Sequence, residues 1–167
     1  YYNGDGGGIQ IGFECSTNEV LVTFEKCIFK DNNNDRGGAL FINSNLFSTL
    51  RNLNATGCTF TDNSAIEKGG AIALDSSSQC FNLYFEDCFF ISNTAKEGGG
   101  AIYIEFNSQT DAMYYFSKCN FQGNSGKESL CIDINDMTAD TTHCNLLLEE
   151  CYFYDNHNPD YAGGACC

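Results

Sequence analysis

Cysteine thiols, which can form disulfides, bind soft metals or act as nucleophiles, have the most regular spacing of any reactive group in this chain. Eleven of the 167 residues are cysteine. Usage this heavy indicates an oxidising, extracellular compartment, and an odd number leaves at least one thiol free or paired with another chain. Five of them follow one another at intervals of 31, 30, 31 and 32 residues: Cys27, Cys58, Cys88, Cys119 and Cys151.

The other six cysteines are the candidates for disulfides, and Cys166 and Cys167 could also bridge to a neighbouring chain. The six are Cys15, Cys80, Cys131, Cys144, Cys166 and Cys167. Their spacing does not determine the connectivity. His143 and Cys144 with Cys151 could suggest zinc. That spacing fits no standard site and supplies no fourth ligand, so the sequence predicts no metal centre of this kind.

Carboxylates dominate the charge, with 22 acidic residues against 8 basic ones and a net charge of −14. Nucleic acid and anionic bilayers are excluded as partners because this surface would repel them.

Carboxylates could hold calcium, although the spacing matches no EF-hand or calcium-binding nonapeptide, and solvated turns are the favoured interpretation. The weak calcium candidates are Asp31, Asp62, Asp133, Asp136 and Asp140. No other cofactor is predicted.

Catalysis on polysaccharides would require paired carboxylates, or calcium with a basic group, converging on one face. The acids are scattered along the chain, and neither Arg36 nor Arg51 shares a repeat position with an acid pair. The two histidines, His143 and His157, do not either. The sequence therefore predicts that the protein is not an enzyme.

The regular cysteines open five copies of the hexad Cys-x-Phe-x-x-Asn, which end at Asn32, Asn63, Asn93, Asn124 and Asn156. Between the hexads runs a second motif, Gly-Gly-Ala-(Ile/Leu)-x-(Ile/Leu), with complete copies at 37–42, 69–74 and 99–104. Residues 6–11 are a variant, and Ser129–Ile134 is a degenerate copy without the glycines. Self-similarity at a fixed period is the signature of a repeat architecture.

Apolar residues alternate within both motifs and in the stretch before each cysteine, which indicates three short strands in each repeat. A period of 31 residues without a helical stretch favours a solenoid. We therefore predict an all-β, right-handed parallel β-helix of about five coils of roughly 31 residues. A single domain would cover residues 1–167, as a fragment or processed piece of a longer repetitive chain. No apolar run approaches the roughly 18 residues of a membrane span.

Stacked coils place equal positions in columns about 4.8 Å apart. The Asn column is expected to be structural, passing amide hydrogen bonds along the stack while its backbone tolerates the left-handed turn conformation. The glycine pair supplies positive φ and a close approach. The five hexad cysteines point inward, where a buried thiol column is favoured over disulfides because parallel neighbours give poor disulfide geometry. Outward-facing positions on the strands include Gln10, Phe41, Ala73, Tyr103 and Asp133, together with the aromatics Phe89, Tyr152 and Tyr154.

Gly-Gly-Ala-Ile together with Phe-x-x-Asn resembles the paired tetrapeptide signature of the chlamydial polymorphic membrane proteins, over nearly the whole chain. Cysteine-rich surface proteins of single-celled eukaryotes look similar. In the chlamydial family the repeats form a right-handed β-helix, which is displayed on the cell surface and used in adhesion and self-association. The resemblance therefore implies an extracellular or cell-surface location and a structural or adhesive role.

Three functions follow from these patterns, in order of preference. The first is an extracellular structural subunit of a filament, appendage or coat, assembled head to tail or laterally, because neither end shows a cap. The second is a surface adhesin that binds a host protein or glycan. The third is a polysaccharide-active enzyme.

Asn54 heads the only glycosylation sequon and is predicted to point outward, where a glycan would fit.

Overall fold

A computed structural model describes residues 7–13, 20–44, 51–76, 81–106, 111–136, 144–158, 160 and 164–166. These residues form nineteen strands, numbered along the chain, and no helix. No helix in this part of the chain has the length and apolar character that crossing a membrane requires.

The strands fall into four parallel sheets. Sheet 1 contains the glycine motifs and consists of β1 (Ile9–Phe13), β5 (Leu40–Ser44), β9 (Ile72–Ser76), β13 (Ile102–Phe106), β16 (Ser129–Asp136) and β19 (Gly164–Cys166). Sheet 2 precedes the cysteines and consists of β2 (Val20–Glu25), β6 (Arg51–Thr56), β10 (Phe81–Glu86), β14 (Ala112–Ser117) and β17 (Cys144–Glu149). Sheet 3 contains the hexad phenylalanines and consists of β3 (Ile28–Lys30), β7 (Thr59–Thr61), β11 (Phe89–Ile91), β15 (Asn120–Gln122) and β18 (Tyr152–Tyr154). Sheet 4 consists of β4 (Asn33–Asn34), β8 (Ser64–Ala65) and β12 (Thr94–Ala95).

Each strand pairs with the strand one repeat away, so the chain is a parallel β-solenoid with about 31 residues per turn, as predicted. In sheet 1, for example, Leu40 pairs with Ile72, and Ile72 pairs with Ile102. Right-handed winding stays a prediction, consistent with the general preference for right-handed crossovers between parallel strands.

Two details of the prediction need correction. Three coils contain a fourth strand of only two residues, too short to give a period-2 pattern in the sequence. About four regular turns are present rather than five. Pairing is regular from β1 to β16, whereas β19 joins β16 with a register shift between Ser129 and Ile132.

The turn that ends each hexad has its left-handed residue one position earlier than predicted. Positive φ falls on the residue before the asparagine, at Asp31, Asp62, Ser92, Gly123 and Asp155. The asparagines themselves do not adopt it. A non-glycine residue in this region costs about 1 kcal/mol unless its side chain is short and polar, which explains the aspartates and serine.

Glycine is required twice in each glycine motif, for different reasons. Gly69 has a φ of 68°, a conformation that glycine adopts without strain. Gly70 faces the next coil, where a Cβ would lie 2.6 Å from both N and O of Thr94, and nearer still to the carbonyl oxygen of Gly100. The predicted roles of the glycine pair, positive φ and close approach, are both confirmed.

Apolar columns fill the interior. The rings of Phe29, Phe60, Phe90, Phe121 and Phe153 stack face to face, with neighbouring centroids 4.7 to 5.0 Å apart and planes within 5° of parallel. The aliphatic residues of the glycine motifs and the apolar residues of sheet 2 pack around this stack. This spacing places each ring one strand separation from the next, so the solenoid core is built by repetition.

The outward-facing row of sheet 1 is buried rather than exposed to solvent. Phe41 and Tyr103 are each only 1% exposed, Ala73 is fully buried and Asp133 is 7% exposed. Only Gln10 of this row is exposed as expected. Side chains from the turn before the glycine pair cover the row, with the guanidinium of Arg36 5.6 Å from the ring centroid of Phe41.

Replacing Gly70 with alanine should lower the free energy of unfolding by at least about 3 kcal/mol, because the new methyl group meets backbone of the next coil, which cannot move away without breaking the hydrogen bonds between the coils. Urea denaturation followed by circular dichroism measures the effect. Gly12→Ala is the matched control, since nothing lies within 4 Å of a Cβ there. Equal stability of the two variants would contradict the packing described here.

Candidate functional site

The asparagines that end the hexads form a continuous ladder. Asn63 Nδ2 donates to Asn93 Oδ1 at 2.9 Å and to the carbonyl oxygen of Phe29 at 3.0 Å. Asn93 Oδ1 also accepts from the backbone N–H of Asn63 at 3.1 Å. The same arrangement links Asn32 to Asn63, Asn93 to Asn124, and Asn124 to Asn156. Because these amides are occupied by one another and by the backbone, the column is structural, as predicted.

The five hexad cysteines form a second column as free thiols, buried at Cys58, Cys88 and Cys119 and half-buried at Cys27 and Cys151. Each donates to a backbone carbonyl, as Cys88 does to Glu86 at 3.3 Å. Burial raises the pKa of Cys58 and of Cys151. A hydrogen bond with Cys88, and then burial, raise the pKa of Cys119. The hydrogen bond with Cys119 lowers the pKa of Cys88. The three thiols of raised pKa are poor nucleophiles and poor metal ligands at neutral pH.

The disulfide candidates are only partly described. Cys15, Cys80 and Cys167 lie outside the described residues, and only the backbone of Cys166 is described, in β19. Cys131 is fully buried in β16, and Cys144 is half-buried at the start of β17. Disulfide pairing among these six stays a prediction.

The predicted calcium ligands lie on different elements. Asp31 and Asp62 are exposed at the turns after β3 and β7, where Lys30 approaches Asp31 at 3.9 Å. Asp133 lies on the outer face of β16, only the backbone of Asp136 is described, and Asp140 lies outside the described residues. No three His, Cys, Asp or Glu side chains in the described residues are grouped so that they could hold a metal ion.

Arg36 lies within a cluster of carboxylates, contrary to the prediction that no arginine lines up with an acid pair. Its guanidinium Nη1 lies 3.1 Å from Asp75 Oδ2, Nη2 lies 3.8 Å from Glu105 Oε2, and Nε lies 3.9 Å from Glu67 Oε2. Asp75 and Glu105 are register partners on β9 and β13. The sequence hides this arrangement because Arg36 contributes from a turn while the acids lie on strands of later coils.

Tyr103 extends the same cluster. Its hydroxyl donates to Glu105 Oε2 at 3.1 Å and accepts from Lys68 Nζ at 2.8 Å, and the ammonium lies 4.3 Å from the ring centroid. Burial lowers the pKa of Lys68, but the contact with Tyr103 and the charge of Glu105 outweigh it, and the net pKa is raised. Burial, and then Glu128, raise the pKa of Asp133. Arg36 and Lys68 thus lie among carboxylates over the outer face of sheet 1.

A groove of about 510 Å³ lies on the outer face of sheet 2. It crosses β2, β6, β10 and β14, and its lining includes Leu21, Asn54, Tyr84, Glu86 and Tyr115. In register order the central row reads Thr23, Asn54, Tyr84, Tyr115 and Leu147. The register partner of Tyr84 on β6 is Asn54, whose side chain is smaller than a tyrosine ring. The groove lies in the space that this difference leaves beside the ring of Tyr84.

Polar groups surround the rings in this groove. Tyr115 donates its hydroxyl to Glu149 Oε2 at 2.7 Å, and this hydrogen bond raises the pKa of the phenol. Asn82 Nδ2 donates to Asn52 Oδ1 at 3.1 Å along the neighbouring row. Asn54 Oδ1 is buried and has no hydrogen-bond partner within the part of the chain that is described.

Asn54 faces outward, half-buried, as predicted, and Thr56 of its sequon is exposed. Glycosylation itself stays a prediction. A glycan on Asn54 would lie in the groove, because the side chain forms part of the groove lining.

The outer face of sheet 3 also carries large apolar side chains. Phe89, Tyr152 and Tyr154 are exposed as predicted, and Ile28 is 74% exposed. Thr59 and Asn120 interrupt the row that Ile28, Phe89 and Tyr152 share. This face is therefore a discontinuous apolar strip.

Comparison with known proteins identifies the repeat. The Chlamydia polymorphic membrane protein (Chlamydia_PMP) repeat model matches residues 57–75 and 87–105. Each match begins at the turn before a hexad cysteine and ends in a glycine-motif strand. These two segments are similar to the Chlamydia polymorphic membrane protein repeat. Searches of curated proteins and of solved structures gave no match.

The two matched segments contain the Phe, Asn and glycine motifs of their coils and none of the residues that line the groove. The groove lies on the outer face of sheet 2, outside the paired motif. Its tyrosines were missed, although a signal existed: Thr23, Asn54, Tyr84, Tyr115 and Leu147 all stand four residues before a hexad cysteine. Reading that position down the repeats would have aligned them.

The thiol column predicts a reactivity pattern. Iodoacetamide added to the native protein should modify Cys27 and Cys151 first and leave Cys58, Cys88 and Cys119 intact, because the last three are buried. After denaturation without a reductant, mass spectrometry of the peptides should find all five modified. Hexad cysteines that react only after reduction would show disulfides and contradict the thiol column.

Proposed function

We propose that this chain is a non-catalytic module of an extracellular surface protein, which adheres to its target through the outer face of sheet 2. The polymorphic membrane protein repeat suggests a surface-exposed protein. The observation that carries the adhesive role is the groove beside Tyr84, because the fold itself does not require it.

The distribution of side chains between inside and outside supports this role. The Asn, Phe and Cys columns are occupied with holding the coils together, as the ladder and the stacked rings indicate. Tyr84 and Leu147 are exposed on the outer face of sheet 2, and Leu21 is 63% exposed. Large exposed apolar groups rimmed by polar ones are typical of interaction surfaces.

The carboxylate cluster supports a non-catalytic role. Glycoside hydrolysis needs one carboxylic acid kept protonated and a second carboxylate free to act as base or nucleophile. Here Asp75 and Glu105 both face the guanidinium of Arg36, and Glu105 also accepts from Tyr103. Both carboxylates are thus engaged in contacts of the fold, which leaves neither free to act as base or nucleophile.

Self-association into a filament or coat is the second candidate. Successive coils present the same ring and amide columns to each other, with the Phe60 and Phe90 centroids 5.0 Å apart and the Asn63 and Asn93 amides hydrogen-bonded. A second copy stacked end to end could continue the same contacts, since unpaired strand edges recruit other strands.

Binding to cells tests the adhesive proposal. Fluorescently labelled protein, shown by sedimentation velocity to be monomeric, should bind saturably to fixed mammalian epithelial cells in flow cytometry. Replacing Tyr84 and Tyr115 together with serine should weaken binding at least about tenfold, because aromatic side chains dominate such contacts. The matched control is the double replacement of Phe89 and Tyr152 with serine on sheet 3, which should leave the binding unchanged.

Two results would overturn this proposal. One is absence of saturable binding by the monomer, and the other is an equal loss in both double variants. Binding by filaments alone, visible in electron microscopy of the same sample, would favour the second candidate.

A further inference from the structure

We propose that the groove on sheet 2 binds a neutral oligosaccharide lying along the solenoid axis, with one sugar ring against Tyr84. This inference rests on the proposed adhesive function and specifies its ligand. It is carried by the size of the groove, the exposed rings, the surrounding acceptors and the sign of the charge.

Size and direction suit a short linear glycan. The groove of about 510 Å³ crosses four neighbouring strands, a length of about 14 Å at about 4.8 Å per strand spacing. A volume of this order is typical of sites for small organic ligands, whereas a folded protein partner needs a broader contact area.

Ring faces and acceptors occur together, which is the chemistry that a sugar requires. A pyranose has an apolar C–H face and an equatorial rim of hydroxyls. Tyr84 is 36% exposed, and the small Asn54 beside it leaves room against its ring. Glu86 follows two residues later on the same face, and its carboxylate can accept from two hydroxyls.

Asn54 provides a specific acceptor for a hydroxyl. Its Oδ1 is buried with no partner in the described residues, which is a costly state for an amide oxygen. The side chain lines the groove between Leu21 and Tyr84. Rotation of the Asn54 amide toward the groove would let a hydroxyl of a sugar lying against Tyr84 supply the missing hydrogen bond.

Charge decides between neutral and acidic glycans. No lysine or arginine lines the groove, whereas Glu86 does. Glu149 lies beside it through the hydrogen bond from Tyr115, and Glu25 occupies the same row on β2. The chain as a whole carries a net charge of −14. Uronate and sulfated sugars would therefore be repelled, and neutral sugars are left as the ligand class.

Isothermal titration calorimetry with four tetrasaccharides tests the inference: cellotetraose, N-acetylated chitotetraose, maltotetraose and the acidic tetragalacturonate. The protein used should have an unmodified Asn54, verified by peptide mass spectrometry, so that the groove is open. At least one neutral tetrasaccharide should bind and the acidic one should not. Tyr84→Ala should weaken that binding at least about tenfold, whereas Tyr84→Phe should stay within about threefold because the ring face is kept.

Two further variants separate the groove from general effects. Glu86→Gln keeps the size of the side chain and should weaken binding by removing the charged acceptor. Tyr152→Ala, which removes an exposed ring on sheet 3, should have no effect. A neutral sugar that binds Tyr84→Ala as well as the parent protein would overturn the assignment of the groove, and preferred binding of tetragalacturonate would overturn the ligand class.

The cell-binding measurement distinguishes failure of the inference from failure of the proposed function. If cells are bound through Tyr84 and Tyr115 while none of the neutral tetrasaccharides binds at millimolar concentration, the target is a protein, and only the oligosaccharide inference fails. If neither cells nor tetrasaccharides are bound, both fail.

Discussion

The hydrogen bonds between stacked asparagine side chains constrain every coil of this solenoid to the same shape. Asn93 Oδ1 accepts from both N and Nδ2 of Asn63, while Asn93 Nδ2 donates to Asn124 and to the carbonyl oxygen of Phe60. Four bonds at one side chain fix the position of the turn relative to both neighbouring coils. With the turn fixed, the Phe rings stack, the thiols align, and the glycine motif returns to the next coil at contact distance. The same register places Asn54 beside Tyr84 on the outside, so the candidate binding groove depends on the ladder within.

Features that recur from coil to coil could be predicted from the sequence, because residues of the same type at the same repeat position form the same contacts in successive coils. The Asn, Phe and Cys columns and the glycine pair are of this kind. Predictions failed where a contact joins side chains from different positions of the repeat. Phe41 and Tyr103 alternate correctly along their strands, yet they are buried because Arg36 and Lys68 reach over them from the preceding turns. The alternation of apolar residues along a strand predicts which face of the sheet a side chain lies on. It does not predict whether a long side chain from another element covers that face.

The outer faces of sheets 1 and 2 differ in how much of their surface is covered by other side chains of the chain. The outer face of sheet 1 is covered by a charged cluster in which Arg36 contacts carboxylates from two later coils, so this face is part of the packed structure. Sheet 2 leaves tyrosine rings and carboxylates accessible around a groove. Of these two faces, the outer face of sheet 2 is the one that a ligand could contact without breaking the Arg36 ion pairs. The groove was not predicted because its depth depends on a small residue next to a large one on neighbouring coils, a relation that appears only when the repeats are stacked.

The stability of an Asn93→Leu variant tests the central role of the ladder most directly. The replacement has similar volume but removes four hydrogen bonds. The backbone N–H of Asn63 loses its acceptor, while Asn63 Nδ2 keeps only the Phe29 carbonyl and Asn124 Oδ1 keeps only the backbone N–H of residue 93. Each lost bond costs about 0.5 to 1.5 kcal/mol, and a buried group left without any partner costs about 1 to 3 kcal/mol. Urea denaturation should therefore show a loss of at least about 3 kcal/mol relative to Asn33→Leu, whose asparagine is exposed in the neighbouring short strand. Equal stability of the two variants would contradict the account, because the coils would then be held in register without the asparagine amides.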